Sequence, residues 1–380
     1  MNQRFEARYK ISEGGNGLIR AGRDLQLSRD VAIKELRPCR SGEVERARLL
    51  REAHIQAQLQ HPCMVPVYGI GQWDDGSPYY VMQQLSGMTL YDAVIALHAS
   101  RSKKVILHCK TIEGAQIHLS FRDLIGRFKE LCLAVEFAHQ QGVIHRDITP
   151  KNLMLGYYGE NHIIDWGTAK IESEQPEHAQ QESLIPVATG SLHATSPSIE
   201  SIGSQSLGAM LSASRQNMRT FTGAILGTPG FMSPEHQISA KNVDRLSDVF
   251  GLGATLYFIV AGRPPRNADL LKEKGGTGNL PNPKEHILTP SSKVQKRVDS
   301  QLEAIYLRAM NAKPELRYKS CRELADDLGR WLNGQPVRAR EETLREKTKR
   351  WIRQRSASAI VAVVFIASGG AMLQHYFHAR

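Results

Sequence analysis

Cysteine is scarce in this chain of 380 residues, and its few copies are scattered. The five cysteines are odd in number and lack the spacing of metal-binding pairs, and the 14 histidines form no ligand cluster along the sequence. This pattern excludes a disulfide-rich secreted domain and gives no sign of a metal site built from cysteine and histidine. We therefore expect reduced thiols in a reducing compartment. The cysteines are Cys39, Cys63, Cys109, Cys132 and Cys321.

A signal-peptide pattern is also missing, because the first five residues lead directly into polar sequence. The net charge of +11 would suit a nucleic-acid partner, but no nucleic-acid-binding motif accompanies it. Much of the excess lies near the C-terminus, so we expect attraction to a membrane surface and no nucleic-acid partner. With 41% hydrophobic residues the chain can bury a large core, and its length favours two lobes.

The stretch His145-Arg146-Asp147 is the most informative part of the chain, because Asn152 and then Asp165-Trp166-Gly167 follow it. This spacing suits phosphoryl transfer from a nucleotide. Asp147 can accept the proton of an attacking hydroxyl, and Asn152 and Asp165 can hold Mg²⁺. Three hydrophobic runs predict short strands that place these residues at loop ends. The runs occupy residues 142–144, 153–155 and 162–164.

Two features upstream indicate a site for nucleotide phosphates. Residues 11–19 contain three glycines between β-formers, and glycine lets a hairpin approach phosphate oxygens closely, although such a cluster alone usually means a turn. Lys34 ends a Val/Ile-rich strand, and Glu52 in the helical pattern 48–53 is its expected partner. A single lysine at a strand end is more often a solvated edge residue. The co-occurrence of the whole set favours the functional interpretation.

In their order, these motifs resemble the bacterial eukaryotic-type (Hanks-type) Ser/Thr protein kinases, in particular the planctomycete and chlamydial branch. The resemblance covers residues 9–332 and implies an α+β, bilobal protein kinase fold. A small β-rich N-lobe would occupy about 9–85 and a larger helical C-lobe about 86–332. The resemblance also implies ATP with Mg²⁺, or alternatively Mn²⁺, protein substrates, and a homodimer that would allow autophosphorylation.

The resemblance further implies roles for individual residues. Asp147, Lys34 and Lys151 would be catalytic, and Asn152 and Asp165 would bind the metal. The implied nucleotide contacts, from the glycine-rich hairpin to the hinge between the lobes, are Ile11, Gly14, Gly17, Ile19, Ala32, Lys34, Glu52, Met82, Gln83 and Leu85.

Structural and regulatory roles are implied for a second group. Glu235, in the segment 227–235, is expected to form a buried bidentate pair with Arg317, and Asp248 to anchor the backbone of the His145-Arg146-Asp147 turn. Arg146 could bind a phosphate on the activation segment, and Thr228 belongs to the same segment. An insertion at 171–222, rich in Ser, Thr, Gln and Gly, is expected to be a mobile loop, with Thr220 and Thr222 as the best-placed phosphosites.

Departures from the family pattern keep other functions open. Ser12 stands where the first glycine is usual, and Thr149 stands where Ser/Thr kinases usually place a lysine, so Lys151 is expected to reach the same phosphate. Trp166 replaces a phenylalanine, which we expect to be neutral. The alternatives are a pseudokinase scaffold that binds nucleotide without efficient transfer and a small-molecule phosphotransferase, although the latter should lack the segment 227–235.

Two further segments stand outside the kinase motifs. Residues 100–120 are basic and poorly patterned, and we expect a surface insertion of unknown role there. Residues 333–355 form a charged juxtamembrane segment, and 356–373 carry no charge over 18 residues. The latter is a candidate transmembrane helix, so that the protein would be single-pass with its kinase domain cytoplasmic. The alternative is a buried or interfacial helix.

Overall fold

The computed structural model describes two lobes, one built on an antiparallel sheet and the other on helices. The described residues are 4–14, 17–38, 42–100, 104–108, 116–172, 228, 230–238, 243–265, 299–341 and 347. The described strands are β1 (Phe5–Gly14), β2 (Gly17–Asp24), β3 (Arg29–Glu35), β4 (Val67–Gln72), β5 (Pro78–Gln83), β6 (Gly87–Thr89), β7 (Lys104–His108), β8 (Gln116–Ser120), β9 (Val143–Ile144), β10 (Leu153–Gly156), β11 (Asn161–Ile163) and β12 (Lys170–Ile171). The described α-helices are α1 (Glu43–Gln58), α2 (Leu90–Ala99), α3 (Phe121–Gln140), α4 (Pro234–Ile238), α5 (Arg245–Ala261), α6 (Ser300–Ala309) and α7 (Cys321–Leu332).

The N-lobe is a five-stranded antiparallel sheet in the order β1-β2-β3-β5-β4, with α1 packed beside it. Strands β1 and β2 form the glycine-rich hairpin, in which Gly14 pairs with Gly17. Gly17 has a φ of +147°, and a Cβ there would lie 2.6 Å from the carbonyl oxygen of Glu35. Only glycine fits this position, so the start of β2 can lie close beside the end of β3 in the sheet.

The C-lobe is organised around α5, which is buried from Ser247 to Ala261. The side chain of Asp244 caps the first turn through the N–H of Leu246 at 2.9 Å, and Gly262 ends the helix at a φ of +69°. A buried aliphatic side chain contributes about 1.5–3 kcal/mol, so a helix buried on all sides is the main support of this lobe. Helices α3, α6 and α7 pack against it.

Short strands flank the predicted site residues Asp147, Asn152 and Asp165 in the sequence. Strand β10 pairs with β11 and with β6, and β9 pairs with β12. The predicted strand pair around residues 153–164 is therefore present. The run 142–144 pairs elsewhere, with the chain just after Thr168.

The structure adds detail to three stretches of the predicted organisation. The strand that leads into the hinge ends at Gln83, and β6 begins separately at Gly87. The stretch 100–120, which looked poorly patterned, contains the antiparallel hairpin of β7 and β8. Packing in the C-lobe continues beyond 332, because Val337 is buried and Asp327 accepts the N–H of Arg338 at 2.7 Å.

Part of the sequence interpretation falls on residues that are not described. Most of the insertion 171–222, both candidate phosphosites and the candidate span 356–373 lie outside the described residues. Among the residues that the structure does describe, no helix is long and apolar enough to cross a membrane.

Candidate active site

A buried lysine–glutamate pair links the N-lobe sheet to α1. The Lys34 Nζ on β3 donates to the Glu52 Oε1 on α1 at 2.5 Å, and both side chains are buried. The Tyr80 hydroxyl on β5 donates to the same Glu52 oxygen at 3.1 Å. Lys34 Nζ also lies 3.7 Å from the Asp165 Oδ1, across the junction between the lobes. Three elements therefore hold the lysine ammonium at the edge of the cleft.

The charge of Lys34 is secured by its surroundings. Burial opposes the ammonium charge, but the carboxylate of Glu52 outweighs this effect and, with Asp165, raises the pKa of Lys34 above its usual value. The lysine therefore stays cationic at neutral pH and presents a fixed positive charge.

Asp147 lies where two separate segments donate hydrogen bonds to it. The Asn152 Nδ2 donates to the Asp147 Oδ2 at 3.0 Å and to its carbonyl oxygen at 2.9 Å. The backbone N–H of Thr228 donates to the Asp147 Oδ1 at 2.9 Å, from the segment that follows the long insertion. Two segments that are far apart in the sequence thus orient the Asp147 carboxylate. The amide oxygen of Asn152 is then the atom that can accept a cation.

The backbone brings Asp165 back towards Asn152. The N–H of Ile164 donates to the carbonyl oxygen of Asn152 at 2.9 Å, and Asp165 adopts a left-handed φ of +64° before the 3₁₀ turn Trp166–Thr168. A non-glycine residue in this region is held there by its surroundings. The Trp166 ring is fully buried, and its centroid lies 4.6 Å from that of the His145 ring.

The predicted anchor of the His145-Arg146-Asp147 turn is present. Asp248, on the buried helix α5, accepts the N–H of His145 and the N–H of Arg146, each at 2.8 Å. The His139 Nε2 bonds the same carboxylate at 2.8 Å. Burial opposes the carboxylate charge, but His139 and His145 outweigh it and lower the pKa of Asp248. The strained Arg146 backbone, with a φ of +70°, is held by this contact.

The predicted bidentate pair is also present. The two terminal nitrogens of Arg317 donate to Glu235 at 2.7 and 2.8 Å, and one also donates to the carbonyl oxygen of Leu246. The Ser247 hydroxyl donates to the same glutamate at 2.8 Å. Burial alone would raise the pKa of Glu235, but the effect of Arg317 is stronger and lowers this pKa to about 2. This pair ties α4 to α5 and to the turn before α7.

The implied nucleotide contacts surround one side of the cleft. Ile19 is opposite Lys34 and Ala32 is opposite Met82 in the sheet register. The backbone N–H of Gln83 donates to the carbonyl oxygen of Pro66 at 3.0 Å, which fixes the start of the hinge. The remaining contacts are Ile11, which is 47% exposed, the hairpin residues Gly14 and Gly17, and the half-buried Leu85.

Lys151 is exposed, and its Nζ lies 5.3 Å from the ring centroid of Tyr91. Thr149, at the usual lysine position, is buried and its carbonyl oxygen accepts the N–H of Asn152. The basic side chain is therefore exposed above an aromatic ring, whereas the position of the usual lysine is buried. Arg146 lines a small cavity with Asp147, His236 and other residues of the following segment.

Sequence reasoning missed several residues that hold these groups. Tyr80 bonds Glu52, His139 bonds Asp248, and the Thr168 hydroxyl donates to the carbonyl oxygen of His145 at 3.0 Å. The alternation of the hinge strand could have placed the Tyr80 side chain towards α1. No spacing signal connects His139 with Asp248, because the two residues are 109 positions apart.

Comparison with known proteins agrees with this geometry. The family model described as "Protein kinase domain" matches residues 5–197, which is 193 of the 380 residues. The serine/threonine-protein kinase PknD of Chlamydia abortus is 31% identical over 88% of this chain and 32% of its own length. The serine/threonine-protein kinase PknB of Mycobacterium tuberculosis is 29% identical over 89% of this chain and 44% of its own length. This chain thus spans about a third of the length of the chlamydial relatives.

A solved structure supports the fold. The crystal structure of the Mycobacterium tuberculosis PknI kinase domain aligns with a TM-score of 0.53 and 19% identity, and covers 86% of this chain and 95% of that chain. The bilobal protein kinase fold predicted from the motifs is therefore confirmed, as is the resemblance to bacterial eukaryotic-type Ser/Thr kinases. The chain belongs to the protein kinase domain family.

Proposed function

We propose that this chain is a protein serine/threonine kinase that transfers the γ-phosphate of ATP to protein hydroxyl groups. One observation carries the proposal. Lys34 forms an ion pair with Glu52 and lies 3.7 Å from Asp165 at one edge of the cleft, while Asn152 donates to the carboxylate of Asp147. This arrangement brings a phosphate-binding cation, metal-binding oxygens and a general base together, which phosphoryl transfer requires.

Asp147 would act on the substrate hydroxyl. Its carboxylate is held by two donors from different segments, so a hydroxyl that enters from the protein substrate would meet an acceptor in a fixed orientation. The Thr228 N–H ties this orientation to the segment that ends at Glu235, where the substrate chain would lie. Ordering of that segment would therefore prepare the base.

The donor set fits Mg²⁺ and a nucleotide phosphate. Asp165 offers carboxylate oxygens and Asn152 an amide oxygen, and oxygen ligands are the ones that Mg²⁺ prefers. Bound there, Mg²⁺ would neutralise the charge of the transferred phosphoryl group. Lys34 would bind the α- and β-phosphates, since Glu52 fixes its position and its charge. Gly14 and Gly17 would let the hairpin backbone approach the phosphate oxygens without a Cβ in the way.

The hinge would bind the adenine. The Gln83 N–H is directed to Pro66, so the carbonyl oxygen of Gln83 and the backbone of Leu85 are the groups proposed to bond the base edge. Met82 would border the pocket next to Ala32. Lys151 would supply positive charge for the γ-phosphate in place of the lysine missing at position 149.

Transfer itself tests the proposal. The full chain, incubated with labelled ATP and Mg²⁺, should phosphorylate itself or a generic basic protein, whereas Asp147→Asn should suppress transfer by about 10³-fold while ATP binding persists. Wild-type chain that binds ATP and transfers no phosphate would establish the pseudokinase instead. Transfer to small hydroxyl compounds without transfer to protein would indicate a small-molecule phosphotransferase.

We also propose that phosphorylation of the activation segment regulates this site. Arg146 adjoins Asp147 and lines the cavity beneath the segment 228–236, where a phosphate on Thr220 or Thr222 could bind it. Mass spectrometry of the chain after autophosphorylation should find phosphate on one of these threonines. Replacement of both by alanine should lower turnover, and unchanged turnover would contradict this mode of regulation.

Membrane anchoring completes the proposal. A kinase domain at 9–332 would continue through the basic segment 333–355 into a single span at 356–373, with the kinase on the cytoplasmic side. The uncharged stretch and the eight basic residues between Arg338 and Arg355 support this orientation. A span of 18 residues would be about 27 Å long, close to a hydrocarbon thickness of roughly 30 Å.

Fractionation tests the anchor. The full chain should stay in the membrane pellet through a carbonate wash, and its appearance in the supernatant would contradict the span. A stop codon after Glu341 should release an active kinase, because it retains Val337 and the N–H groups that Asp327 binds. A stop after Asn333 removes these contacts and should lower the free energy of unfolding relative to the longer form.

A further inference from the structure

Three side chains that can bind a metal meet behind the catalytic turn. They are Glu136 and His139 on α3 and Cys321, the first residue of α7. A carboxylate oxygen, a ring nitrogen and the sulfur all lie within 4.8 Å of one another. We propose that these residues form a binding site for a thiophilic divalent cation of the zinc class, which would join α3 to α7.

Two helices place the three ligands. Glu136 and His139 are three residues apart, so they share one face of α3. Cys321 follows Ser320, whose hydroxyl caps α7 through the N–H of Glu323 at 3.2 Å. The backbone N–H of Arg322 donates to the Glu136 Oε2 at 3.2 Å and holds this carboxylate beside the cysteine.

The orientation of the His139 ring is suited to metal binding. Its Nε2 faces the Asp248 carboxylate at 2.8 Å, and its Nδ1 faces the Cys321 Sγ at 3.7 Å. We assign the proton to Nε2 because a carboxylate accepts there, which leaves the Nδ1 lone pair on the side of the sulfur. A histidine ligand that donates its other N–H to a carboxylate is the arrangement found at protein metal sites.

The nitrogen–sulfur separation is already close to the requirement of a tetrahedral centre. At the tetrahedral angle, Zn–N bonds of about 2.0 Å and Zn–S bonds of about 2.3 Å place the two ligand atoms about 3.5 Å apart. The observed separation of the His139 Nδ1 and the Cys321 Sγ, 3.7 Å, is close to this value. The Glu136 carboxylate, which is partly exposed, would supply the third bond and the route of entry, and water would take the fourth position.

The charges balance for a divalent ion. Binding would replace the S–H bond of Cys321 by a metal–sulfur bond and release the proton to solvent, with no change of oxidation state. One thiolate, one carboxylate and one neutral imidazole then carry two negative charges against the two positive charges of the cation. Sulfur with nitrogen favours zinc-class ions over Mg²⁺, which prefers oxygen. The kinase metal would therefore not compete for this site.

Cobalt(II) titration of the full chain tests the site. We expect one equivalent to bind with the absorption of a thiolate-to-cobalt charge transfer, and zinc to displace it. Cys321→Ala should abolish this absorption, and Glu136→Gln should weaken binding by about tenfold or more. Cys63→Ala, which removes a buried thiol elsewhere in the core, is the matched control and should bind as the wild type does.

Thermal unfolding gives a second readout that is independent of phosphate transfer. Zinc in about 100-fold excess over its dissociation constant should raise the Tm of wild-type chain by about 5 °C and leave that of Cys321→Ala unchanged. Should the alanine variant fail to fold, Cys321→Ser takes its place. Absence of the charge-transfer band in folded wild-type chain, or its persistence in the Cys321 variants, would overturn the proposal.

Discussion

The cleft and the helical lobe both contain carboxylates with polar partners, but the number and burial of these partners differ between the two regions. In the helical lobe, the Asp248 side chain is 1% exposed and accepts bonds from His139 and from two backbone N–H groups. Glu235 is bound there by both terminal nitrogens of Arg317. Protein donors satisfy both carboxylates, so their negative charges stabilise the folded state.

The cleft carboxylates face a different environment. The Asp165 side chain is 32% exposed and lies 3.7 Å from Lys34, beyond the ordinary length of a hydrogen bond. Asp147 is oriented by an amide and a backbone N–H, not by a charged side chain. The comparison teaches that saturation by protein donors distinguishes a structural carboxylate from one directed towards a ligand. Substitution should therefore affect stability in one region and turnover in the other.

The largest expected effect concerns the cleft. Asp165→Asn, like Asp147→Asn, should lower kcat/KM by about 10³-fold, because it removes charge from a proposed metal ligand. The free energy of unfolding should change by less than about 1 kcal/mol, since neither residue belongs to the buried core. Phosphate transfer and urea unfolding measure the two quantities. A large loss of stability with little loss of transfer would break the comparison.

The second prediction concerns the helical lobe. Glu235→Gln should lower the free energy of unfolding at pH 7 by about 3 kcal/mol, because it leaves the buried Arg317 charge without its partner. The pKa of Glu235 is lowered to about 2, so its contribution is fully present above about pH 4.5 and is lost as the pH falls towards 2. The difference between wild type and variant should shrink over that interval.

A matched control is available for this prediction. Glu172 forms an ion pair with Arg245 in which both side chains are at least one third exposed. Glu172→Gln should change the free energy of unfolding by less than about 1 kcal/mol. Equal effects of the two glutamine substitutions at pH 7 would show that burial of the Glu235 pair does not matter.

The third prediction sharpens the comparison at the edge of the cleft. Lys151→Ala should lower kcat by about tenfold with a smaller change in the KM for ATP, if the ammonium acts on the transferred phosphate. Lys151→Arg should retain most of the activity, and Lys319→Ala, at another exposed lysine, should have no effect. An unchanged kcat in Lys151→Ala would show that the lysine does not act on the transferred phosphate and only contacts Tyr91.

The smallest expected effect concerns Tyr80, whose hydroxyl is buried beside the Lys34–Glu52 pair. Tyr80→Phe removes the hydroxyl that donates to Glu52 at 3.1 Å and should lower the free energy of unfolding by about 1 kcal/mol. Turnover should fall by a few fold as the Lys34 partner loosens. Tyr79→Phe, in the adjacent residue whose side chain points away from α1, serves as the control. Equal effects of the two substitutions would argue against a role of the hydroxyl in orienting Glu52.

Much of this architecture could be predicted from short-range pattern. The strands around Asn152 and Asp165, the helix that bears Glu52 and the order of the motifs follow from alternation, helical periodicity and spacing. The pairing of β7 with β8 could not be predicted in this way, because strand formation in a short basic segment depends on its cross-strand partner. The end of the hinge strand at Gln83 likewise depends on where pairing with β3 stops.

By itself, the sequence determined which chemical groups are available and at which intervals they follow one another, and this was enough for the family and the proposed reaction. The tertiary structure alone decided which distant groups meet: Tyr80 with Glu52, His139 with Asp248, and Cys321 with His139 over 182 positions. The reason is physical. A local pattern reports forces that act over a few residues, whereas a hydrogen bond or a metal site between two helices forms only when the packing of the core brings their faces together.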